Sequence, residues 1–407
     1  MVRSLFVASI SLLIIGCSNS EEKESRFVGD WRMVFNLGDD SLPFQSSIMH
    51  SEGGNPVFYA INGDERIRAE TLVIKGDSIR VQLPIFNTEL IGCIRGDSIV
   101  GNFHDYSRKG SYAIPFTAYK GETHRFTVVE SPEVDITGKW EVAFSPGSDH
   151  EYQAIGEFGQ EGEKAYGTFL TTTGDYRYLE GNVDGDKLLL SCFDGSHVFL
   201  FKATVSGDTI RGDFWSGSHW QENWEGFRNQ EYALPNPDSL TFLKPGFAKI
   251  EFSFPSIDGG EVSLEDSKFI NKVVIVQLMG SWCPNCMDET AYLVSLYNKF
   301  QSEGLEVVSL AFEKSDKLET NKRSLERLRG HFDIPYPLLM AGRASKKEAA
   351  NKLPMLNHVL SFPTTIFIDR NGNVRRIHTG FSGPGTGEYY QEFVDETDDF
   401  VLRLLLE

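Results

Sequence analysis

Two thiols separated by two residues stand in Trp282-Cys283-Pro284-Asn285-Cys286, directly after the apolar run Val273-Val274-Ile275-Val276-Gln277-Leu278-Met279. A disulfide needs Cα atoms within about 7 Å, and positions i and i+3 in the first turn of a helix meet that need with little strain. The spacing therefore predicts a strand that delivers a reversible dithiol to the start of a helix, with Cys283 attacking and Cys286 resolving. Unpaired N–H groups and the helix dipole favour a thiolate there, so Cys283 is expected to ionise below the roughly 8.5 of a free thiol. Pro284 suits the first helical position, where its missing N–H removes no bond. A zinc site takes about four ligands, and no second CxxC or CxxH accompanies this one, so neither a metal nor another cofactor is expected.

Further along, Phe362-Pro363-Thr364-Thr365-Ile366-Phe367-Ile368-Asp369 runs into Arg370-Asn371-Gly372-Asn373-Val374, which reads as proline, strand, Asn-Gly turn, strand. With the paired thiols upstream, this pattern resembles the thioredoxin fold and, within it, the TlpA/ResA-like family of membrane-tethered thiol-disulfide oxidoreductases. The likeness runs from Ala248 to Glu407 and includes a leading hairpin at Phe254 to Gly260 and Val262 to Leu264. It implies that Pro363 is cis and faces the thiols, with Phe362 and Thr364 beside it, as Trp282, Pro284 and Asn285 flank the pair. It also implies an acidic residue near the dithiol. Glu289, three positions after Cys286, fits, and its carboxyl would accept or relay the proton that the second thiol loses; a solvated acid of the early helix is the other reading. Asp288 reads as surface. The same resemblance implies disulfide-containing envelope proteins as substrates and a membrane electron donor of the thioredoxin-reducing type.

The periodicity supports an α/β domain independently. Met287, Ala291, Val294 and Tyr297 recur at helical spacing, and Leu305 to Ala311 forms a second apolar strand, together a βαβ unit. Helices are expected over Lys317 to His331, Ala344 to Leu353 and Glu388 to Leu406, with a short strand at Pro337 to Met340. The Gly383-Pro384-Gly385-Thr386-Gly387 run reads as a loop, since it lacks dinucleotide-site spacing.

At the other end, Met1-Val2-Arg3, the apolar Leu5 to Ile15 and Ile14-Ile15-Gly16-Cys17 match a lipoprotein signal peptide. Cleavage would leave a lipidated Cys17 on a polar tether, 17–25, placing the protein in the cell envelope, facing the periplasm or on the outer-membrane surface. The apolar stretch is shorter than the roughly 20 residues of a lasting membrane helix. With 39 basic against 58 acidic residues the formal charge is −19. That balance argues against nucleic acid and against docking on anionic headgroups, so lipid rather than charge is expected to hold the chain at a membrane.

An internal repeat organises the middle. Val28-Gly29-Asp30-Trp31 returns as Thr137-Gly138-Lys139-Trp140, Gly76-Asp77-Ser78-Ile79 as Gly185-Asp186-Lys187-Leu188, and Gly96 to Phe103 as Gly207 to Phe214, at offsets of 109, 109 and 111 residues. Each copy shows short alternating strands and Gly-Asp turns. The fold class is therefore multidomain: two tandem all-β units, small antiparallel barrels or sandwiches with barrels favoured, then an α/β thioredoxin-like domain. The boundaries are 1–16 signal peptide, 17–25 tether, 26–129 and 130–232 repeats, 233–247 linker and 248–407 redox domain. Cys93 and Cys192 read as buried strand thiols. Trp215, Trp220 and Trp224 with His219 mark either a binding patch or barrel core.

Two other functions are open to such a chain. A ligand- or partner-binding surface lipoprotein with a subordinate redox domain is one. A peroxiredoxin-like peroxidase is the other, but its Pro-x-x-x-Thr-x-x-Cys motif is absent, Leu278 to Trp282 preceding Cys283. Copper handling fits less well, because related chaperones use CxxxC.

Overall fold

The computed structural model describes residues 25–108 and 110–407. The signal peptide, Cys17 and the tether up to residue 24 lie outside the described residues. Among the described residues no helix is long and apolar enough to cross a membrane.

Both repeats are up-and-down antiparallel barrels rather than sandwiches. In the first, nine strands lie between Gly29 and Lys120, and the first, Gly29–Asn36, pairs with the last, Ala113–Lys120. One seam stays open, between Glu65–Arg68 and Thr71–Lys75. There Ala69 donates to the carbonyl of Phe58 and Glu70 to that of Gln82, so the chain steps across without a ladder. The second copy closes: Gly138–Phe144 pairs with Tyr152–Glu161 and Trp220–Arg228, and Lys164–Thr171 pairs with Leu179–Asp184. Apolar residues on the inward phase of each strand fill both interiors.

The duplication holds at the level of single bonds. Trp31 donates its indole N–H to the carbonyl of Phe27 at 2.8 Å, and Trp140 donates to that of Ile136 at 2.9 Å. Gly101 and Gly212 occupy matching places where neighbouring strands run so close that a Cβ would meet a carbonyl oxygen at 2.1 and 2.0 Å. The barrels also share a core: Phe193 of the second sits among Phe35, Phe44 and Phe103 of the first, with ring centroids 4.6 to 5.3 Å apart. Arg125, between the barrels and buried, donates to Asn62, to Ser191 and to Glu180.

Cys192 is buried, but Cys93 is exposed, which corrects the expectation for it. In Thr88–Arg95 the inward residues are Leu90 and Ile94, so odd-numbered Cys93 points outward. Both are free thiols. The tryptophans do not form a patch either. Trp224 lies in the second core, Trp215 packs against the first, and only Trp220 is largely exposed.

The C-terminal domain is a five-stranded sheet in the order Leu338–Arg343, Leu305–Glu313, Val273–Met279, Thr364–Ile368, Val374–Thr379. The first three strands are mutually parallel, and Thr364–Ile368 runs antiparallel to both of its neighbours. Helices α1 (Pro284–Phe300), α2 (Leu318–Phe332), α3 (Lys346–Lys352) and α4 (Glu388–Leu406) complete it. The hairpin Ser253–Pro255 with Glu261–Ser263 precedes the sheet. The connecting segment before it is fastened to the domain, Asp238 pairing with His378 at 2.7 Å and with Arg376 at 2.8 Å.

Candidate active site

The central strand Val273–Met279 is buried along its whole length. Val273, Ile275 and Met279 join the core that contains α1, and Val274, Val276 and Leu278 face the opposite core. By parity Gln277 faces α1, a polar side chain in an otherwise apolar strand. After Met279 the chain is pinned before it turns into α1. Ser281 donates from its amide and hydroxyl to Glu313 at 2.8 and 2.7 Å, and Trp282 donates its indole N–H to the carbonyl of Phe312 at 2.8 Å.

Cys283 is the N-cap of α1, in extended conformation, with its sulfur 3.3 Å from the amide nitrogen of Cys286. The two cysteines form a disulfide with Cα atoms 5.2 Å apart. Cys286 is fully buried and Cys283 is 6% exposed, so Cys283 is the outer and more accessible of the two. The amide at the cap and the open helix N-terminus both favour negative charge on the outer sulfur once the bridge is reduced. Opposite it runs the segment Ser361-Phe362-Pro363-Thr364. The Phe362–Pro363 peptide is cis, and the Phe362 carbonyl oxygen lies 3.4 Å from Cys283 Sγ. Phe362 and Trp282 meet edge to face at 6.0 Å, while Thr364 donates to the carbonyl of Ser361 at 2.8 Å.

One turn below Cys286, Glu289 is fully enclosed. It accepts from Thr365 Oγ1 at 2.6 Å and from Gln277 Nε2 at 2.8 Å. Burial raises its pKa to about 7, against the pull of those two hydrogen bonds. Gln277 is held in turn by Ser309, which donates to its Oε1 at 2.8 Å. A carboxyl that changes charge near neutrality thus lies beneath the inner thiol, in a cage of neutral donors.

A model of the AhpC/TSA family matches residues 246–377. Thiol-disulfide oxidoreductase ResA of Geobacillus kaustophilus is 27% identical over 140 residues, covering 34% of this chain and 72% of that protein. The thioredoxin-like protein YneN of Bacillus subtilis is 26% identical over 138 residues, covering 34% and 73%. The C-terminal domain is similar to the ResA-like thiol-disulfide oxidoreductases. Among solved structures, a thiol:disulfide interchange protein of the thioredoxin family from Chlorobium tepidum is similar to the ResA-like domain, at 22% identity and a TM-score of 0.30, covering 39% of this chain and 95% of that one.

The ResA-like domain does not stand alone. Asn285, inside the CxxC, donates to Asp175 Oδ2 of the second barrel at 3.1 Å, and Ser361 donates to the carbonyl of Thr173 at 2.9 Å. Asp288 is not surface. Its side chain is 18% exposed and pairs with Arg177 of the second barrel, whose guanidinium also reaches Glu65 of the first barrel at 2.5 Å and Asp194 at 3.3 Å. Burial pushes the Asp288 pKa up to about 7, against the attraction of Arg177. Sequence reasoning missed Gln277, Thr365, Asp175 and Arg177. Only Gln277 carried a signal, as the single polar residue in its strand.

Proposed function

We propose that this protein is a membrane-tethered reductase of disulfides in cell-envelope proteins, working through Cys283 and Cys286. The observation that carries the reading is the pairing of a capped outer sulfur with an inner one that sits one turn above a buried carboxyl titrating near 7. In the reduced enzyme the Cys283 thiolate attacks a substrate disulfide; that S–S bond breaks, one substrate sulfur leaves as thiolate, and a mixed disulfide forms. Cys286 then gives its proton to Glu289 and attacks Cys283 Sγ, releasing the second substrate thiolate and leaving the enzyme disulfide. Substrate gains two electrons and the enzyme loses two, so a dithiol donor of the membrane must return them. The cis-proline segment with Phe362 and Thr364, and Trp282, Pro284 and Asn285 around the pair, shape the approach to Cys283. The lipobox ending at Cys17 supports the tether.

Redox titration of the full chain, read by alkylation of Cys283 and Cys286, tests the direction. A potential near the roughly −270 mV of thioredoxin supports a reductase, and one near about −120 mV would make the protein an oxidant. Absence of a reversible couple would sink the enzymatic reading in favour of a binding lipoprotein. Cys17→Ser is expected to move the protein from the membrane to the soluble fraction; a variant that stays with the membrane removes the tether from the proposal.

A further inference from the structure

The hairpin at Gly174–Asp175 lies against the redox face as well as belonging to the second barrel. Asp175 Oδ2 accepts from Asn285 at 3.1 Å and from the Gly383 amide at 2.6 Å, and a Cβ on Gly174 would stand 2.7 Å from the Asn285 amide nitrogen. Beside this contact opens a cleft of about 760 Å³. One wall is the mouth of the barrel, with Tyr152, Phe199, Phe214 and Trp220; the other includes Trp282, the residue before Cys283, and Phe362, whose carbonyl oxygen lies 3.4 Å from the Cys283 sulfur. The barrel side also carries polar groups: His150, His197 and His219 line it, with Glu222, which accepts from Tyr152 at 3.0 Å and from Ser145 at 2.5 Å.

From this geometry, and resting on the reductase reading above, we propose that the mouth of the second barrel is the substrate-binding site of the enzyme, and that it takes an extended peptide segment with an aromatic or large apolar side chain beside its disulfide cysteine. Three observations converge. Cys283 is only 6% exposed and the hairpin stands along its flank, which disfavours the flat surface of a folded protein, whereas an extended strand laid in the cleft would run past Trp282, Asn285 and Phe362, the residues next to the sulfur. Seven of the residues that line the cleft are Phe, Tyr or Trp, and they are found on both walls, where such rings hold apolar side chains by burial and edge contacts. The volume falls within the roughly 300–1,000 Å³ of sites that enclose small ligands, which suits a few residues rather than a domain. The barrel thereby supplies the selection that a bare dithiol lacks.

The test uses the reduced full chain and two symmetric disulfides, one of acetyl-Gly-Phe-Cys-Phe-Gly-amide and one of acetyl-Gly-Gly-Cys-Gly-Gly-amide. Wild type is expected to reduce the phenylalanine peptide with a kcat/KM about tenfold higher than the glycine peptide. Trp220→Ala, at a rim residue 48% exposed, and Phe199→Ala are expected to erase that preference by raising KM for the phenylalanine peptide about tenfold, to the level of the glycine peptide. No preference in wild type, or one that survives both substitutions, overturns the proposal. A second arm needs no turnover: binding of the S-methylated phenylalanine peptide to the Cys283→Ser, Cys286→Ser protein, followed by tryptophan fluorescence, is expected to weaken with Trp220→Ala. If wild type reduces neither peptide, the reductase reading falls and this arm alone decides the site, weakened binding supporting it and absent binding overturning it.

Discussion

At the scale of residues, the two cysteines and the proline opposite them were legible because their chemistry depends on local spacing. The cage around Glu289 was not. Its donors come from Gln277, 12 residues before it, and Thr365, 76 residues after it, and no local pattern joins them. The environment of Glu289 has two measurable consequences. Its pKa is raised from the ordinary 4.5 to about 7, so the folded chain keeps a proton that the unfolded chain loses between those values. Burial of this carboxyl therefore costs little below pH 4.5 and reaches its full cost, about 3 kcal/mol, above pH 7. Glu289→Gln is expected to be more stable than wild type at pH 8, with most of the gain gone at pH 5, as read by urea midpoints; an equal difference at both values would mean that the carboxyl is not ionising in the fold. The same variant should resolve mixed disulfides about 10²-fold more slowly and lose the rise in rate through pH 7. A pH profile unchanged by the substitution would remove Glu289 from proton transfer.

At the scale of elements, periodicity served well where an element's burial is one-sided or complete. The predicted terminal helix Glu388 to Leu406 coincides with α4, and Lys317 to His331 differs from α2 by one residue at each end. Cys93 was misread although alternation contained the answer, since Leu90 and Ile94 fix the inward phase of that strand. The Gly-Asp repeats marked the turns, but they did not reveal why Gly101 and Gly212 recur inside strands. The close approach of backbones explains these positions, and it predicts that Gly101→Ala and Gly212→Ala each cost about 1–3 kcal/mol by forcing two strands apart. Urea unfolding checks this: a midpoint equal to wild type in either variant would show that the strands can separate freely there.

At the scale of the whole molecule, the sequence reads as units in a row, while the structure is three units meeting at one buried cation. Arg177 faces Glu65 from the first barrel, Asp194 from its own and Asp288 from α1, and the contacts to Glu65 and Asp288, each spanning more than 100 residues, leave no trace in local composition. Arg177→Met would strand three carboxylates in the interface, a loss of about 3–5 kcal/mol for a broken buried network. Because the Asp288 carboxyl, pushed up to about 7 by burial, is protonated at pH 5, the loss should be smaller at pH 5 than at pH 8. The expected outcome is faster hydrogen exchange at Gly174–Asp175 and along the first turn of α1, together with faster alkylation of reduced Cys283. Exchange that stays at wild-type levels at pH 8 would show that the docking does not depend on this cation.

The shared barrel core bears on how such a chain can change over generations. The 109-residue offset that carries Gly76 to Gly185 carries Pro84 to Phe193, so the ring that fills the first barrel has no twin at the matching place in the other copy. Once one half of a duplication lends a side chain to the interior of the other, neither half can be lost, exchanged or moved to another gene by itself. The pair has become a single heritable part.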